Sequence, residues 1–119
     1  MKKNTKWLPK KKMTNQTRKY RGYKTQSLVA EYLKQNGYPY AESTGAGRSG
    51  SDITGTPYDI EVKARAGFPV AETMRQLEER QSDRLGFAVM RLNGQGEKSV
   101  GSFVAVLRFA DLVRLLNNE

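Results

Sequence analysis

Residues 50–64 read GSDITGTPYDIEVKA, and this stretch decides the fold of the chain. Apolar and charged residues alternate across residues 58–64, which predicts a strand with one apolar and one charged face. Residues 52–54 predict a short strand before it, and the Gly-Thr-Pro of residues 55–57 predicts the turn that joins the two strands. We therefore expect a hairpin in which the first strand lies alongside the second.

The sequence on both sides of this hairpin predicts the rest of the domain. Apolar residues follow helical spacing in three segments, and short apolar runs bounded by polar residues and glycines lie between them. The order helix, three strands, helix, two strands, helix predicts an α/β fold with a single mixed sheet flanked by helices. The predicted helices are residues 25–35, 70–84 and 109–116, and the further strands are residues 38–43, 86–92 and 103–107.

The positive charge of the chain is concentrated at its N-terminus. The 119 residues contain 21 Lys and Arg against 12 Asp and Glu, a net charge of +9. Residues 1–24 hold ten of the basic residues and no acidic one, so the other 95 residues have a net charge of −1. Residues 1–20 lack apolar periodicity and predict a flexible basic arm ahead of a domain at residues 21–119. The arm is either a solubilising terminus or a phosphate-binding segment. It lacks the amphipathic apolar stripe that favours a membrane surface, so nucleic acid is the better partner, and the interspersed aromatic residues could stack on bases.

The residue types that are missing narrow the possible chemistry. The sequence has no Cys and no His, which excludes disulfides, thiol nucleophiles, His general bases and the usual zinc ligands. We also expect no membrane-spanning segment and no secretory signal, because the sequence has no apolar run of the required kind. An enzyme built from this chain would use carboxylates, lysine and a hard cation such as Mg²⁺.

Asp52, Glu61 and Lys63 are the candidate catalytic residues. Residues i and i+2 of a strand point to the same side, so Glu61 and Lys63 share a face. The hairpin brings Asp52 alongside Glu61, and two carboxylates make an oxygen site for Mg²⁺ or Mn²⁺. A lysine beside them would stabilise the charge that develops during attack on a phosphate. The glycine-rich loop at residues 44–51 lets backbone N–H groups approach a phosphate, and Arg48 adds a bidentate donor.

The same residues also have simpler structural interpretations. A Glu-x-Lys pair on a strand is commonly a solvated ion pair, and an Asp after Gly-Ser is commonly a turn residue. Asp59 shares the face of Glu61, and we expect it to be a surface carboxylate at the strand end. Arg65 continues that face, and a phosphate contact and a simple solvated arginine are equally compatible with its position. The charged residues of the second helix, Arg80 among them, are expected to form ordinary pairs on the helix surface.

The motifs around the hairpin resemble the signature of the PD-(D/E)XK nucleases. Residues 51–55 read SDITG and residues 60–64 read IEVKA, in the order and spacing of that signature. Upstream, an Arg-Gly pair leads into a helix and a strand ends in a Ser before a Gly-x-Gly loop. Downstream, residues 76–78 read Gln-Leu-Glu in a helix. In these features residues 21–92, roughly two-thirds of the chain, are similar to the archaeal-type Holliday junction resolvases and their phage relatives.

The resemblance implies a PD-(D/E)XK restriction-endonuclease-like core and a Mg²⁺-dependent endonuclease, with Mn²⁺ as a possible substitute ion. It implies a homodimer that nicks two strands of a four-way DNA junction symmetrically, with no membrane partner. The compartment it implies is the cytoplasm, which for a phage-encoded protein is that of the bacterial host cell.

By the same resemblance, Asp52 and Glu61 are metal ligands and Lys63 is the catalytic lysine. Three further residues fall on active-site positions of the family: Ser43, Gln76 and Gln26. Gln26 departs from the family pattern, because the family usually has a Glu there and a neutral amide attracts a metal ion less strongly. The residues expected to contact the DNA backbone are Arg48, Arg21, Lys24, Lys19 and Arg65.

Two other functions stay open at this point. One is a nucleic-acid-binding module that keeps the fold and lacks the chemistry, with Gln26 as part of that loss. The other is a related repair or restriction-type nuclease that acts on flaps, ends or plain duplex DNA.

Overall fold

A computed structural model describes residues 15–45, 50–64 and 69–118, with side chains from residue 20 onward. The predicted order of helices and strands is confirmed, and a 3-10 helix is added within the polar segment before the last strand. None of the helices in the described ranges combines the length and the apolar character that a membrane-spanning helix requires. The elements are α1 (Asn15–Gln35), β1 (Glu42–Ser43), β2 (Ile53–Thr54), β3 (Asp59–Lys63), α2 (Val70–Glu79), β4 (Gly86–Met90), the 3-10 helix (Glu97–Ser102), β5 (Val104–Val106) and α3 (Phe109–Asn118).

Helix α1 begins at Asn15, well before the predicted start at residue 25. It therefore includes residues 15–20 of the segment that the sequence predicted as a flexible arm. The pattern missed these turns because the segment holds polar helix formers and no apolar stripe. Residues 1–14 of the predicted arm lie outside the described residues.

Two further boundaries differ from the prediction for local reasons. The chain turns before β1, where the Tyr38 N–H donates to the Leu33 carbonyl (2.9 Å) and the Ala41 N–H to the Tyr38 carbonyl (3.0 Å). Only the last two residues of the predicted strand therefore pair with the sheet. Helix α2 ends at Glu79 because Gln81 has a φ of 50°, and this left-handed conformation terminates a helix.

The strands form one mixed sheet, as predicted, and its five strands lie in the order β1-β2-β3-β4-β5. The β2–β3 hairpin is antiparallel and pairs Ile53 with Ile60. Strand β4 then lies parallel to β3, with Glu61 opposite Ala88, because α2 crosses over between them. Strands β1 and β5 close the two edges with antiparallel pairing. The protein is therefore an α/β domain in which the hairpin occupies the middle of the sheet.

A separate apolar cluster covers each face of the sheet. The cluster under α1 contains Ile60 and Val62 of β3, which confirms that Val62 points into the core. The cluster under α2 contains Met74 and Leu77 of the helix, packed on β4. The alternate residues of β3 must then point toward α2. The charged face of this strand is therefore covered by a helix, and is not open to solvent as an ordinary surface strand would be.

Polar contacts hold helix α1 against the C-terminal ends of β3 and β4. The Thr25 hydroxyl is fully buried; it donates to the Arg21 carbonyl (2.7 Å) and accepts a hydrogen bond from Arg91 Nη1 (3.0 Å). Arg21 Nε donates to the Ala64 carbonyl (3.1 Å) at the end of β3. These contacts fix where α1 lies relative to the strand that carries Glu61 and Lys63.

The turn between β2 and β3 depends on Gly55. Its φ is +82°, and a Cβ atom there would overlap the Tyr40 carbonyl group. We expect Gly55→Ala to lower the free energy of unfolding by about 3 kcal/mol or more, because left-handed strain and a backbone clash add together. Gly94 is the matched control, since it has a φ of +85° with nothing within 4 Å, and its change to Ala should cost only about 1 kcal/mol.

Urea unfolding of the two variants beside the parent chain measures both effects. If both variants lost the same free energy of unfolding, the close approach of the Tyr40 backbone to the turn would be contradicted.

Candidate active site

The start of β2 holds Asp52 against the middle of β3. The Asp52 N–H donates to the Ile60 carbonyl (2.7 Å), and one oxygen of its carboxylate accepts the backbone N–H of Val62 (2.8 Å). The hydroxyl of Ser51 accepts the N–H of Ile60 (2.8 Å) in the same way. Where regular pairing with β2 ends, two backbone N–H groups of β3 therefore donate to side chains of the preceding segment. Asp52 is only 9% exposed, so its carboxylate is fixed in place.

Glu61 and Lys63 lie together on the α2 side of the sheet, which confirms that they share a face. Lys63 Nζ lies 3.3 Å from Glu61 Oε2. The same ammonium group donates to Gln76 Oε1 of α2, also at 3.3 Å. The structure thus brings together Lys63, Glu61 and Gln76, three of the residues singled out in the sequence.

Arg80 completes this cluster, and the expectations for it and for Asp59 were wrong. Arg80 Nη2 donates to Asp59 Oδ1 (2.8 Å), its Nε donates to Asp59 Oδ2 (3.2 Å), and its Nη1 donates to Glu61 Oε1 (2.9 Å). Asp59 is 2% exposed and so is a buried carboxylate, not a surface one. The sequence carried one signal for this: Arg80 comes three residues after the buried Leu77 and therefore continues the face of α2 that packs on the sheet.

The charges of this cluster do not balance. Asp52, Asp59 and Glu61 supply three carboxylates, while Lys63 and Arg80 supply two cations. The pKa of Asp52 is raised to about 6, chiefly because burial disfavours the charged carboxylate. The negative charge of Glu61 adds to the increase, whereas the Val62 N–H and the two cations oppose it. Burial thus disfavours the charged form of this carboxyl, and a bound divalent cation would stabilise that form.

Gln26 and Ser43 lie on the other side of the sheet. Gln26 precedes Val29 and Ala30 by three and four residues, so it heads the buried stripe of α1. Its Oε1 is buried and has no hydrogen-bond partner among the described residues. Ser43 pairs in register with Ile53, whose side chain belongs to the cluster under α1, so both point to that side. Neither residue joins the contacts that link Glu61, Lys63 and Gln76.

The structure describes the side chains of two of the five residues that the sequence predicts to contact DNA. Arg21 is engaged with the Ala64 carbonyl, and Lys24 Nζ lies 3.9 Å from Glu97 Oε1 in a half-exposed pair. On the same helix, Tyr20 and Tyr23 are 64% and 47% exposed, as stacking residues would need to be. The side chains of Lys19, Arg48 and Arg65 lie outside the described residues, as do residues 46–49 of the glycine-rich loop.

The donor set suits Mg²⁺ better than a softer metal. In the described ranges, no group of three or more His, Cys, Asp and Glu is arranged to hold a metal ion. Mg²⁺ does not require such a group, because it binds through one or two carboxylates and keeps several waters or phosphate oxygens. Asp52 and Glu61 provide two carboxylates of this kind, and both are suited to a hard divalent cation. The unpartnered Oε1 of Gln26 lies on the other side of the sheet and is not part of this donor set.

Comparison of the chain with family models, with curated proteins and with solved structures found no match.

The raised pKa of Asp52 predicts a pH-dependent loss of stability. Native Asp52 keeps its proton up to about pH 6, whereas the unfolded carboxyl loses it near 3.8, so this group's contribution to stability falls as the pH rises between those values. Asp52→Asn removes the effect and can still accept the Val62 N–H. After allowance for solvent screening, we expect this variant to gain about 1–2 kcal/mol of stability relative to the parent between pH 4 and pH 7.

Urea unfolding at the two pH values tests this, with Asp83→Asn as an exposed control that should change stability little at either. A relative loss for Asp52→Asn over the same interval would contradict the raised pKa.

The contacts of Arg80 predict a large cost for its removal. Arg80→Ala leaves the buried Asp59 without its partner, and we expect a loss of about 3 kcal/mol at neutral pH. Arg75 is the matched control on the same helix, because it forms two exposed ion pairs with Glu72 and Glu79. Arg75→Ala should cost under about 1 kcal/mol. Thermal and urea unfolding of both variants measure the difference, and losses of similar size would count against a buried Arg80–Asp59 pair.

Proposed function

We propose that this protein is a Mg²⁺-dependent DNA endonuclease with a PD-(D/E)XK-type core that resolves four-way junctions by symmetric nicking. The observation that carries the proposal is the convergence of Asp52, Glu61 and Lys63 at one hairpin, in a cluster of three carboxylates and two cations. Two carboxylates and an ammonium group on one strand edge are suited to hydrolysis of a phosphodiester. The resemblance of the SDITG and IEVKA motifs to the nuclease signature supports the same activity.

Each residue of the cluster has a distinct task in this proposal. Asp52 and Glu61 hold the metal ion, with the Val62 N–H fixing the orientation of the Asp52 carboxylate (2.8 Å). When bound, Mg²⁺ polarises the scissile phosphate and makes water a better nucleophile. Lys63 places its positive charge where negative charge develops on the phosphate, and Gln76 holds that ammonium group in position from α2 (3.3 Å).

Arg80 orients Glu61 from the side opposite Lys63. Its guanidinium binds both Asp59 and one oxygen of Glu61, so the Glu61 carboxylate lies between two cations. Asp59 in turn limits the movement of the guanidinium through two hydrogen bonds. We assign the Asp59–Arg80 pair a positioning role, in which it keeps the Glu61 side chain on the α2 side of the sheet.

The substrate in this proposal is branched DNA, bound chiefly through its backbone. Ten of the 21 basic residues fall within residues 1–24, and such a concentration favours a polyanion. The exposed Tyr20 and Tyr23 lie in the same region and suit stacking on unpaired bases near a branch point. Two sites are needed to cut two strands, so the active form is a homodimer.

The contact between Arg80 and Glu61 also favours a second function. A guanidinium 2.9 Å from Glu61 Oε1 supplies part of the charge that a metal ion would supply. A protein that kept this ion pair permanently would bind branched or single-stranded nucleic acid without cutting it. A nuclease with the same site that acts on flaps, ends or duplex DNA is the third possibility.

Cleavage of a labelled four-way junction separates these functions. With Mg²⁺ we expect paired symmetric nicks on the junction and much slower cutting of linear duplex. Asp52→Asn and Glu61→Gln should each lower the cleavage rate by at least about 10³-fold and leave junction binding nearly unchanged, because the metal ligands act on the chemical step. Asp83→Asn, at an exposed position outside the cluster, is the control and should cut at the parent rate.

The outcomes are distinct in each case. Binding of the junction without cleavage in Mg²⁺ or Mn²⁺ would replace the nuclease with the binding module. Equal cutting of junction and duplex would keep the nuclease and remove the junction specificity.

A further inference from the structure

Helix α3 exposes an apolar face that its own domain does not cover. Within the described residues, α3 buries none of its side chains, although it is the most apolar helix of the protein. Phe109 and Leu116 are 77% and 71% exposed, and Leu112 and Val113 are 36% and 38% exposed. These four residues, which we call the α3 stripe, are spaced i, i+3, i+4 and i+7 and so lie on one side of the helix.

The α3 stripe is symmetric along its own length. Phe109 and Leu116 are its outer residues and Leu112 and Val113 its inner ones. If two α3 helices lie antiparallel about a two-fold axis between Leu112 and Val113, Phe109 of each meets Leu116 of the other. The inner residues then meet each other across the axis. Two-fold pairing requires a surface that is complementary to itself, and the α3 stripe satisfies this requirement.

The area of the stripe suits a weak pair. Its four side chains expose roughly 400 Å² per protomer, so two copies would remove roughly 800 Å² from water. This total lies below the roughly 1,200–2,000 Å² of a stable specific interface and suits a pair whose assembly depends on protein concentration. The stripe itself contains no charged residue, so no like charges meet across the axis.

We propose that the α3 stripe binds the α3 stripe of a second copy of this chain, with the two helices antiparallel. This proposal rests on α3 alone and not on the nuclease chemistry. In combination with the proposed function, it joins two protomers through the helix that follows the edge strand β5, and away from the Asp52–Glu61 hairpin in the middle of the sheet.

Sedimentation equilibrium over about 1–200 µM protein tests the pairing. The parent chain should dimerise in this range, and Leu116→Glu should raise the dimer dissociation constant by more than about tenfold, because it buries a charge in the apolar contact. Arg114→Glu is the matched control, since Arg114 lies on the opposite side of α3 and is 66% exposed. Circular dichroism should show both variants folded, because neither position is buried in the domain.

Cysteine cross-linking tests the antiparallel arrangement. The chain has no native Cys, so each variant carries one thiol. An equimolar mixture of Phe109→Cys and Leu116→Cys should cross-link under mild oxidation. Either variant alone should not, because equivalent residues lie about 10 Å apart along the paired helices.

A parent chain that stays monomeric throughout the concentration range would overturn the proposal. So would a dimer that Leu116→Glu leaves intact, or cross-linking of Phe109→Cys with itself. None of these readouts uses DNA or a metal ion, so failure here leaves the proposed cleavage untouched, and failure of cleavage leaves the interface untouched.

Discussion

The hydrogen bond from the Val62 N–H to the Asp52 carboxylate joins the fold of this protein to its candidate site. Strand β2 pairs with β3 in regular register only at Ile53 and Ile60, and the N–H groups of Ile60 and Val62 donate to side chains instead. A carboxylate is therefore part of the hairpin itself. The same bond holds the Asp52 carboxylate near Glu61, so the chain cannot form the hairpin without bringing the two acidic groups together.

Burial of these carboxylates lowers the stability of the folded protein unless positive charge lies beside them. Asp52 and Asp59 are almost inaccessible to solvent, and each carboxylate in such a place requires a partner. Arg80 is the partner of Asp59, and both Arg80 and Lys63 contact Glu61. Among the described residues, the Asp52 carboxylate has only the Val62 N–H as a hydrogen-bond partner, and its pKa stays raised. Sites that perform chemistry commonly retain such an imbalance, because a bound ion or substrate then completes it.

Much of the fold and part of the site could be predicted from sequence. Alternating residues in β3 determined which side chains face the core, and the Gly55 turn determined that Asp52 returns to Glu61. The missed features depend on packing between distant segments. Asp59 is at a strand end by sequence, yet α2 covers it, and Arg80 reaches it across 21 positions of the chain. The extra turns of α1 were missed because polar helix residues leave no apolar pattern.

The most direct test of this account is a crystal structure of the protein soaked with Mn²⁺, with anomalous scattering used to locate the ion. The account predicts one strong peak between the carboxylates of Asp52 and Glu61, with the Arg80 guanidinium retained on Asp59. At saturating Mn²⁺, the absence of a peak beside these two carboxylates would contradict it.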